Sequence, residues 1–337
     1  MGCPAGIGPE IIYDYFARNA SDAERATVVL GDLNVLKTCA QRSAGKGPEP
    51  IPWQAGAPLP EDTQRFLPVL GLSELAPSDI VMGKPNIATA RAMAEYIRVG
   101  VELASQGELD GIVTAPISKH ALRQAGYSYP GHTEMLADLT HAKTYAMMMA
   151  GDRLRVTLVT IHCRLKQVPE LLTEDAVLRI IEITKRALRI DFGISRCRIA
   201  VAGLNPHAGE QGMFGDEETT VISPAIRRAR DNGILIEGPL PPDTVFYKAA
   251  RGEYDAVVCM YHDQGLIPFK LMHFDNGVNV TLGLPIVRTS VDHGTAYDIA
   301  GKGLADSSSL HSAVQMAHTL CANRKVFAAR GKSHAGQ

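Results

Sequence analysis

Short apolar runs alternate along the chain with longer segments of helical spacing. Apolar residues recur every three or four positions in Ile87–Gln106 and in Thr173–Ile190, where Thr173 is placed to cap the helix. Near-continuous apolar strands between amphipathic helices are typical of a largely parallel sheet covered on both faces, so the pattern predicts an α/β protein. The predicted strands are Ala26–Leu30, Gly111–Thr114, Arg155–Thr160, Arg198–Ala202, Ala256–Met260 and Val278–Thr281.

The composition is that of an ordinary globular protein with room for a large core. The chain has 337 residues, 45% of them hydrophobic and 21% charged, with a net charge of -2. This charge gives no overall field to attract nucleic acid or an anionic membrane. No apolar run reaches the ~18 residues of a membrane span, and no secretory signal pattern is present. We therefore expect a cytoplasmic protein with no nucleic-acid or membrane partner.

The first residues form an unusual start. Gly2–Glu10 has the composition of a turn that leads into a helix, and such a turn normally follows a strand. We therefore expect a first strand of the sheet to be missing from this sequence.

Three histidines each follow a predicted strand. His162, His207 and His262 stand just beyond the carboxyl ends of their strands, the edge at which open α/β sheets bind ligands. Three imidazoles that leave open coordination positions are typical of a catalytic metal site. The alternative is that each is an ordinary hydrogen-bonding residue, and spacing alone does not decide whether they converge.

Two further groups of polar residues suit an anionic ligand. His132 and Thr133 follow Gly131 at a predicted helix start, where free N–H groups bind anions, although a simple capping turn has the same pattern. Lys270, Asn279 and Arg288 are embedded in apolar stretches, so they line a cleft or have buried partners. An internal salt bridge to Asp263 or Asp292 is the alternative.

A glycine-bounded loop, residues 292–303, has the small residues that let a flat ligand approach the backbone, although an ordinary loop has the same composition. No G-x-G-x-x-G segment follows a strand, so a Rossmann fingerprint is absent.

Five segments along the chain carry a family resemblance. They are, in order, Pro4–Glu10, Tyr129–Glu134, Gly203–Glu210, Tyr261–Gly265 and Arg288–Ala296. Together they resemble the 4-hydroxythreonine-4-phosphate dehydrogenase family of pyridoxal phosphate biosynthesis. Residues 293–301 also resemble the adenosine-binding loop of isocitrate and isopropylmalate dehydrogenases.

The resemblance implies a two-lobed fold with the active-site cleft between the lobes. The first lobe comprises residues 1–130 with 290–337, and the second comprises residues 131–289 and carries the metal ligands and the dimer interface. The sequence departs from the family at Cys3, where the family has Asp or Glu.

The resemblance also implies roles for individual residues. It implies an NAD or NADP cofactor, a divalent metal (zinc above magnesium or cobalt) and a homodimer whose subunits share each metal site. The resemblance leaves the general base open, and Lys270 and Asp243 are the candidates. The implied metal ligands are His162, His207 and His262; the substrate ligands are His132, Thr133, Lys270, Asn279 and Arg288; and the cofactor ligands are His293, Gly294, Thr295, Ala296 and Asp298.

The implied reaction is oxidation of a phosphorylated hydroxy acid. For the substrate 4-phosphooxy-L-threonine, oxidation and decarboxylation would yield 3-amino-2-oxopropyl phosphate. D-Threonate or D-erythronate 4-phosphate, and a carboxylated cis-dihydrodiol of the terephthalate type, are alternative substrates found among relatives of the family. A metal-binding protein without catalytic activity is the alternative from another functional class.

Overall fold

A computed structural model of the chain describes residues 1–19, 27–43, 46–129 and 131–334, with side chains up to residue 331. Ala26 of the first predicted strand and Pro130 of the Tyr129–Glu134 segment lie outside the described residues. The strands are β1 (Val29–Gly31), β2 (Glu49–Pro52), β3 (Phe66–Gly71), β4 (Gly111–Thr114), β5 (Ala146–Ala150), β6 (Arg155–Leu158), β7 (Ile199–Ala202), β8 (Ile236–Leu240), β9 (Ala256–Cys259), β10 (Val278–Leu282) and β11 (Val287–Val291).

The helices alternate with these strands over most of the chain, so the predicted α/β class is confirmed. No helix among the described residues is long and apolar enough to cross a membrane. The helices are α1 (Gly8–Arg18), α2 (Leu33–Arg42), α3 (Ile87–Gln106), α4 (Lys119–Gln124), α5 (His132–Leu139), α6 (Val168–Leu171), α7 (Glu174–Ile190), α8 (Ser223–Asp231), α9 (Pro242–Ala250), α10 (His262–Met272) and α11 (Ser308–His334).

The chain folds as two compact units. The first comprises residues 1–143 and 284–318, and the second comprises residues 144–283 and 319–337. Helix α11 contributes to both, whereas the lobes predicted from the sequence assign residues 290–337 entirely to the first.

The first unit contains a parallel three-stranded sheet in the order β1-β3-β2 and a parallel pair formed by β4 and β11. Its apolar core includes Ile11, Leu36 and Leu67, which are fully buried. Helix α3 spans Ile87–Gln106, the segment that its apolar spacing predicts, and Asn86 caps it by accepting a hydrogen bond from the Thr89 N–H in a capping box.

The second unit contains six strands in the order β10-β5-β6-β9-β7-β8. Strands β6, β9, β7 and β8 are parallel neighbours, whereas β5 runs antiparallel to both β6 and β10. The carboxyl ends of β6, β9 and β7 therefore lie at one edge of the sheet. Helix α7 covers part of this unit and begins at the predicted cap, where Thr173 Oγ1 accepts from the Ala176 N–H.

Two of the strands that the sequence pattern missed have a physical explanation. Strand β5 consists of Ala and Met, which have no strong strand preference. Strand β11 contains Arg288, Thr289 and Ser290, polar residues that interrupt the apolar pattern but are buried. Each of the three side chains makes an internal hydrogen bond, for example that of the Thr289 hydroxyl to the Ala313 carbonyl at 2.8 Å.

Candidate active site

The three imidazoles predicted as metal ligands follow three neighbouring parallel strands. His162 follows β6, His262 is the first residue of α10 after β9, and His207 follows β7. Because β9 lies between β6 and β7, all three belong to the same edge of the second unit.

His162 and His262 lie together, with ring centroids 5.6 Å apart. Two imidazoles bound to one tetrahedral zinc, with Zn–N bonds of about 2.0–2.1 Å, have centroids roughly 5 Å apart, so this pair suits a shared metal. The Asp263 carboxylate accepts the Nδ1–H of His262 at 2.7 Å. That bond leaves the Nε2 lone pair of His262 available to a metal. A carboxylate that holds the other ring nitrogen in this way usually orients a metal-binding histidine.

His207 lies in a strained turn beside these loops. Residues 207–211 have φ values of 52°, 55°, 81°, 42° and 57°, so the backbone is left-handed at five consecutive positions. Only one of these residues is a glycine, and each of the others costs roughly 1–2 kcal/mol in this conformation. Strain of this kind is concentrated at functional sites, where the surrounding structure holds it in place.

A buried carboxylate holds the start of this turn. Glu218 is 2% exposed, and its Oε1 accepts the N–H groups of Leu204 and Asn205 at 2.7 Å each. Its Oε2 accepts from Asn205 Nδ2 at 3.0 Å. These charge-assisted bonds fix the chain between β7 and His207.

Within a single chain, two of the three predicted metal ligands, His162 and His262, lie close together. No group of three His, Cys, Asp or Glu residues in the described part of the chain is arranged to hold a metal ion. The ring of His207 contacts Phe214, with centroids 6.4 Å apart, and its side chain is exposed. The donor set itself consists of neutral nitrogen ligands, which suit zinc better than magnesium.

A second group of predicted site residues lies in the first unit, around Arg288. This side chain is 2% exposed, and its Nε and one terminal nitrogen donate to Thr114 Oγ1 at 3.1 and 2.7 Å. Burial lowers the pKa of Arg288 to about 9, and Glu134 opposes this shift. The guanidinium is therefore charged at neutral pH.

His132 begins α5 beside this cation. Burial lowers its pKa well below the usual value, and Arg288 and Lys119 lower it further, so the imidazole is neutral at pH 7. Its Nε2 is buried and has no hydrogen-bond partner among the described residues. Thr133 follows in the first helical turn and is half-buried. An unsatisfied imidazole at a helix N-terminus next to a buried cation suits a bound anion.

The other predicted substrate and base residues lie in the second unit. Lys270 is in the last turn of α10, and Asn279 lies on β10 with its Oδ1 buried and without a hydrogen-bond partner in the described structure. Asp243 is exposed in the first turn of α9.

The predicted nucleotide loop follows β11. His293 Nδ1 lies 3.0 Å from the Gly294 carbonyl, whereas its Nε2 is buried and unpaired within the described residues. The Thr295 carbonyl accepts from the Ile7 N–H at 3.1 Å, Ala296 has a φ of 41°, and Asp298 is exposed. No other part of the described structure comes within 4 Å of where a Cβ on Gly294 would lie. The open backbone and the unpaired imidazole nitrogen fit a polar, flat ligand such as a nucleotide.

Comparison with known families identifies the family to which the chain belongs. Residues 23–317 match the family model described as "Pyridoxal phosphate biosynthetic protein PdxA". The chain belongs to the PdxA family.

Relatives with assigned names align with almost the whole length of this PdxA-family chain. It is 51% identical over 318 residues to the 4-hydroxythreonine-4-phosphate dehydrogenase of Desulforapulum autotrophicum, covering 94% of this chain and 93% of the relative. It is 40% identical over 332 residues to the "Putative D-threonate 4-phosphate dehydrogenase" of Oceanobacillus iheyensis, covering 95% of this chain and 97% of the relative. The predicted family and enzyme class, an oxidoreductase, are confirmed.

A solved structure of the family has the same fold. The crystal structure of 4-hydroxythreonine-4-phosphate dehydrogenase from Klebsiella pneumoniae matches with a TM-score of 0.87 and 40% identity, covering 95% of this chain and 98% of that chain. The fold of this PdxA-family chain is therefore shown by close structural similarity.

Lys119 is a residue of the anion-binding group that was not predicted from the sequence. A Cβ on Gly131, next to His132, would lie 3.6 Å from Lys119 Nζ, so this amine lies beside the start of α5. Its position in the sequence could have indicated this role, because Lys119 is the first residue of α4, a helix that begins shortly after β4. Ser118 caps this helix, with its Oγ accepting the Ala121 N–H at 3.1 Å.

The left-handed turn gives a prediction about stability. Gln211 is exposed and has a φ of 57°, so Gln211→Gly should raise the free energy of unfolding by about 0.5–1 kcal/mol, because glycine adopts this conformation without strain. Arg179→Gly, at an exposed position within α7, should lower it by about 1 kcal/mol. Urea unfolding measures the free energy of unfolding of both variants. If the two substitutions lowered it equally, the turn would not be left-handed in solution.

Proposed function

We propose that this PdxA-family chain is an NAD(P)-dependent and divalent-metal-dependent dehydrogenase acting on 4-phosphooxy-L-threonine. Oxidation of the secondary alcohol followed by decarboxylation would yield 3-amino-2-oxopropyl phosphate. The substrate class rests on the group formed by His132, Arg288 and Lys119. An unsatisfied neutral imidazole that lies near two cations suits a phosphate.

In the proposal, His162, His207 and His262 hold the metal, and the loop from His293 to Asp298 holds the nucleotide. When bound, the metal lowers the pKa of the substrate hydroxyl and stabilises negative charge at the adjacent oxygen, and the nicotinamide accepts a hydride. The Asp263 carboxylate holds the His262 ring with Nε2 directed away from itself.

The anion-binding group has a positioning role in this reaction. Arg288 is fixed by the Thr114 hydroxyl, so its charge is placed before the substrate binds. His132, being neutral, can donate one N–H to a substrate oxygen. Lys270 and Asn279 would contact the remaining polar groups of the substrate, and Lys270 or Asp243 would accept the hydroxyl proton.

A homodimer would complete the metal site. Helix α10, which starts with His262, carries Ile267 and Leu271 with exposures of 68% and 87%, and Phe274 just after it is 76% exposed. Ile267 and Leu271 are four residues apart, so they lie on one face of α10, and Phe274 follows the end of the helix. An exposed apolar stripe of this kind marks a protein interface, and covering it with a second copy would bring another subunit toward the imidazoles.

The state of the cysteines supports a cytoplasmic location. None of the six cysteines, all of which lie among the described residues, forms a disulfide. Free thiols persist in reducing compartments.

A substrate comparison tests the proposed function. The purified chain loaded with zinc should reduce NAD or NADP, measured by absorbance of the reduced cofactor, with the highest kcat/KM for 4-phosphooxy-L-threonine. D-Threonate 4-phosphate is the second candidate, favoured by the 40% identical relative that is named for it. A higher kcat/KM with D-threonate 4-phosphate would transfer the assignment to that substrate, and no reduction with either would overturn the proposal.

A further inference from the structure

A chain of hydrogen bonds crosses the strand ends that precede the three imidazoles. The Thr160 N–H and hydroxyl both donate to the Met260 carbonyl, at 3.1 and 2.7 Å. The Met260 N–H donates to Gln264 Oε1 at 2.7 Å, and Gln264 Nε2 donates to the Gly203 carbonyl at 2.6 Å. The chain of bonds therefore runs from the end of β6, through the end of β9, to the end of β7.

Gln264 is the side chain that connects β9 to β7 in this network. It lies in the first turn of α10, is 7% exposed, and reaches back past His262 to Met260. Both ends of its amide are used in buried hydrogen bonds. A side chain that could not both donate and accept a hydrogen bond would leave the Met260 N–H or the Gly203 carbonyl unpaired. Water does not reach these buried atoms to replace the lost bond.

The Gly203 end of this connection packs directly against the turn that carries His207. A Cβ on Gly203 would lie 2.8 Å from the Ala208 Cα, closer than packed atoms allow. Glu218 Oε1 would lie 3.1 Å from the same Cβ, and it accepts the adjacent Leu204 N–H. A displacement of the Gly203 carbonyl would therefore be transmitted to the left-handed turn, because there is no free space to absorb it.

We propose that Gln264 is a positioning residue that fixes the His207 turn against the ends of β6 and β9 of its own subunit, and so sets the affinity of the site that contains His207 for the divalent metal. This inference rests on the proposed metal site. Metal ligands must be placed within a few tenths of an ångström, and the outer groups that hold them contribute strongly to affinity.

Two substitutions test this role. Gln264→Met keeps the length of the side chain but neither donates nor accepts, and the dissociation constant for zinc should rise about 10–100-fold. Gln264→Glu keeps the acceptor for the Met260 N–H and replaces the donor to the Gly203 carbonyl by a carboxylate oxygen, which repels that carbonyl, so zinc affinity should fall here as well. Competition with a chelating dye measures the affinity, and the visible absorption of the cobalt-loaded protein reports the ligand geometry. Both readouts are independent of turnover.

Val257→Ala is the matched control. Val257 is fully buried in β9 but takes no part in the side-chain network, so this variant should lower the thermal midpoint while zinc affinity and the cobalt spectrum stay those of the wild type. If Gln264→Met fails to fold, Gln264→Glu carries the test.

The inference would be overturned if the Gln264 variants that fold bound zinc as tightly as the wild type. A wild-type chain that binds zinc no more tightly than a His207→Asn variant would instead overturn the metal site itself, and with it this role of Gln264.

Discussion

His207→Asn is expected to lower zinc affinity by more than about 100-fold, since loss of an outer partner alone costs 10–100-fold. NAD(P) reduction should fall with it to background. The choice of asparagine matters because His207 has a φ of 52°, and asparagine tolerates the left-handed region better than most residues. The unfolding free energy should therefore change by less than about 1 kcal/mol, as for a surface substitution. Metal analysis of the dialysed protein and a steady-state assay measure the two effects.

His120→Asn is the control for this experiment. His120 is exposed on α4, so its replacement should leave metal content and turnover unchanged. Wild-type metal content and full activity in His207→Asn would remove His207 from the metal site.

Arg288→Met should raise KM for the phosphorylated substrate by about 10- to 150-fold, with kcat much less affected. This range corresponds to the roughly 1.5–3 kcal/mol of a hydrogen bond to a charged group. A larger effect on KM than on kcat is expected because the guanidinium would bind substrate and transition state alike. Methionine has a similar length and brings no polar group that would be buried without a partner, so the protein should fold.

Arg98→Met provides the comparison for Arg288. Arg98 is an exposed residue of α3 whose ion pairs with Glu95 and Glu102 lie at the surface, and its loss should leave KM unchanged. Steady-state kinetics over a wide substrate range separates KM from kcat. An unchanged KM in Arg288→Met, with the thermal midpoint preserved, would place Arg288 outside the substrate site.

Much of the secondary structure is accessible from the local pattern. Helices α3 and α7 begin at side-chain caps and carry apolar faces, so the residues within each segment determine them. Strand β5 was not predicted because its Ala and Met residues lack a strand signature. One of its antiparallel partners, β6, follows it closely, whereas the other, β10, lies far along the chain. Pairing with other strands, and not its own propensity, makes this segment a strand.

The sequence by itself determined the family, the α/β class and the placement of His162, His207 and His262 after strands, because these depend on local order and spacing. The tertiary structure decided which of these imidazoles lie together, the left-handed backbone at His207, and the position of Lys119 beside His132. It also decided the role of Gln264, whose two partners belong to different strand ends. Contacts between segments far apart in the chain produce these features, and the local pattern of residues does not specify such contacts.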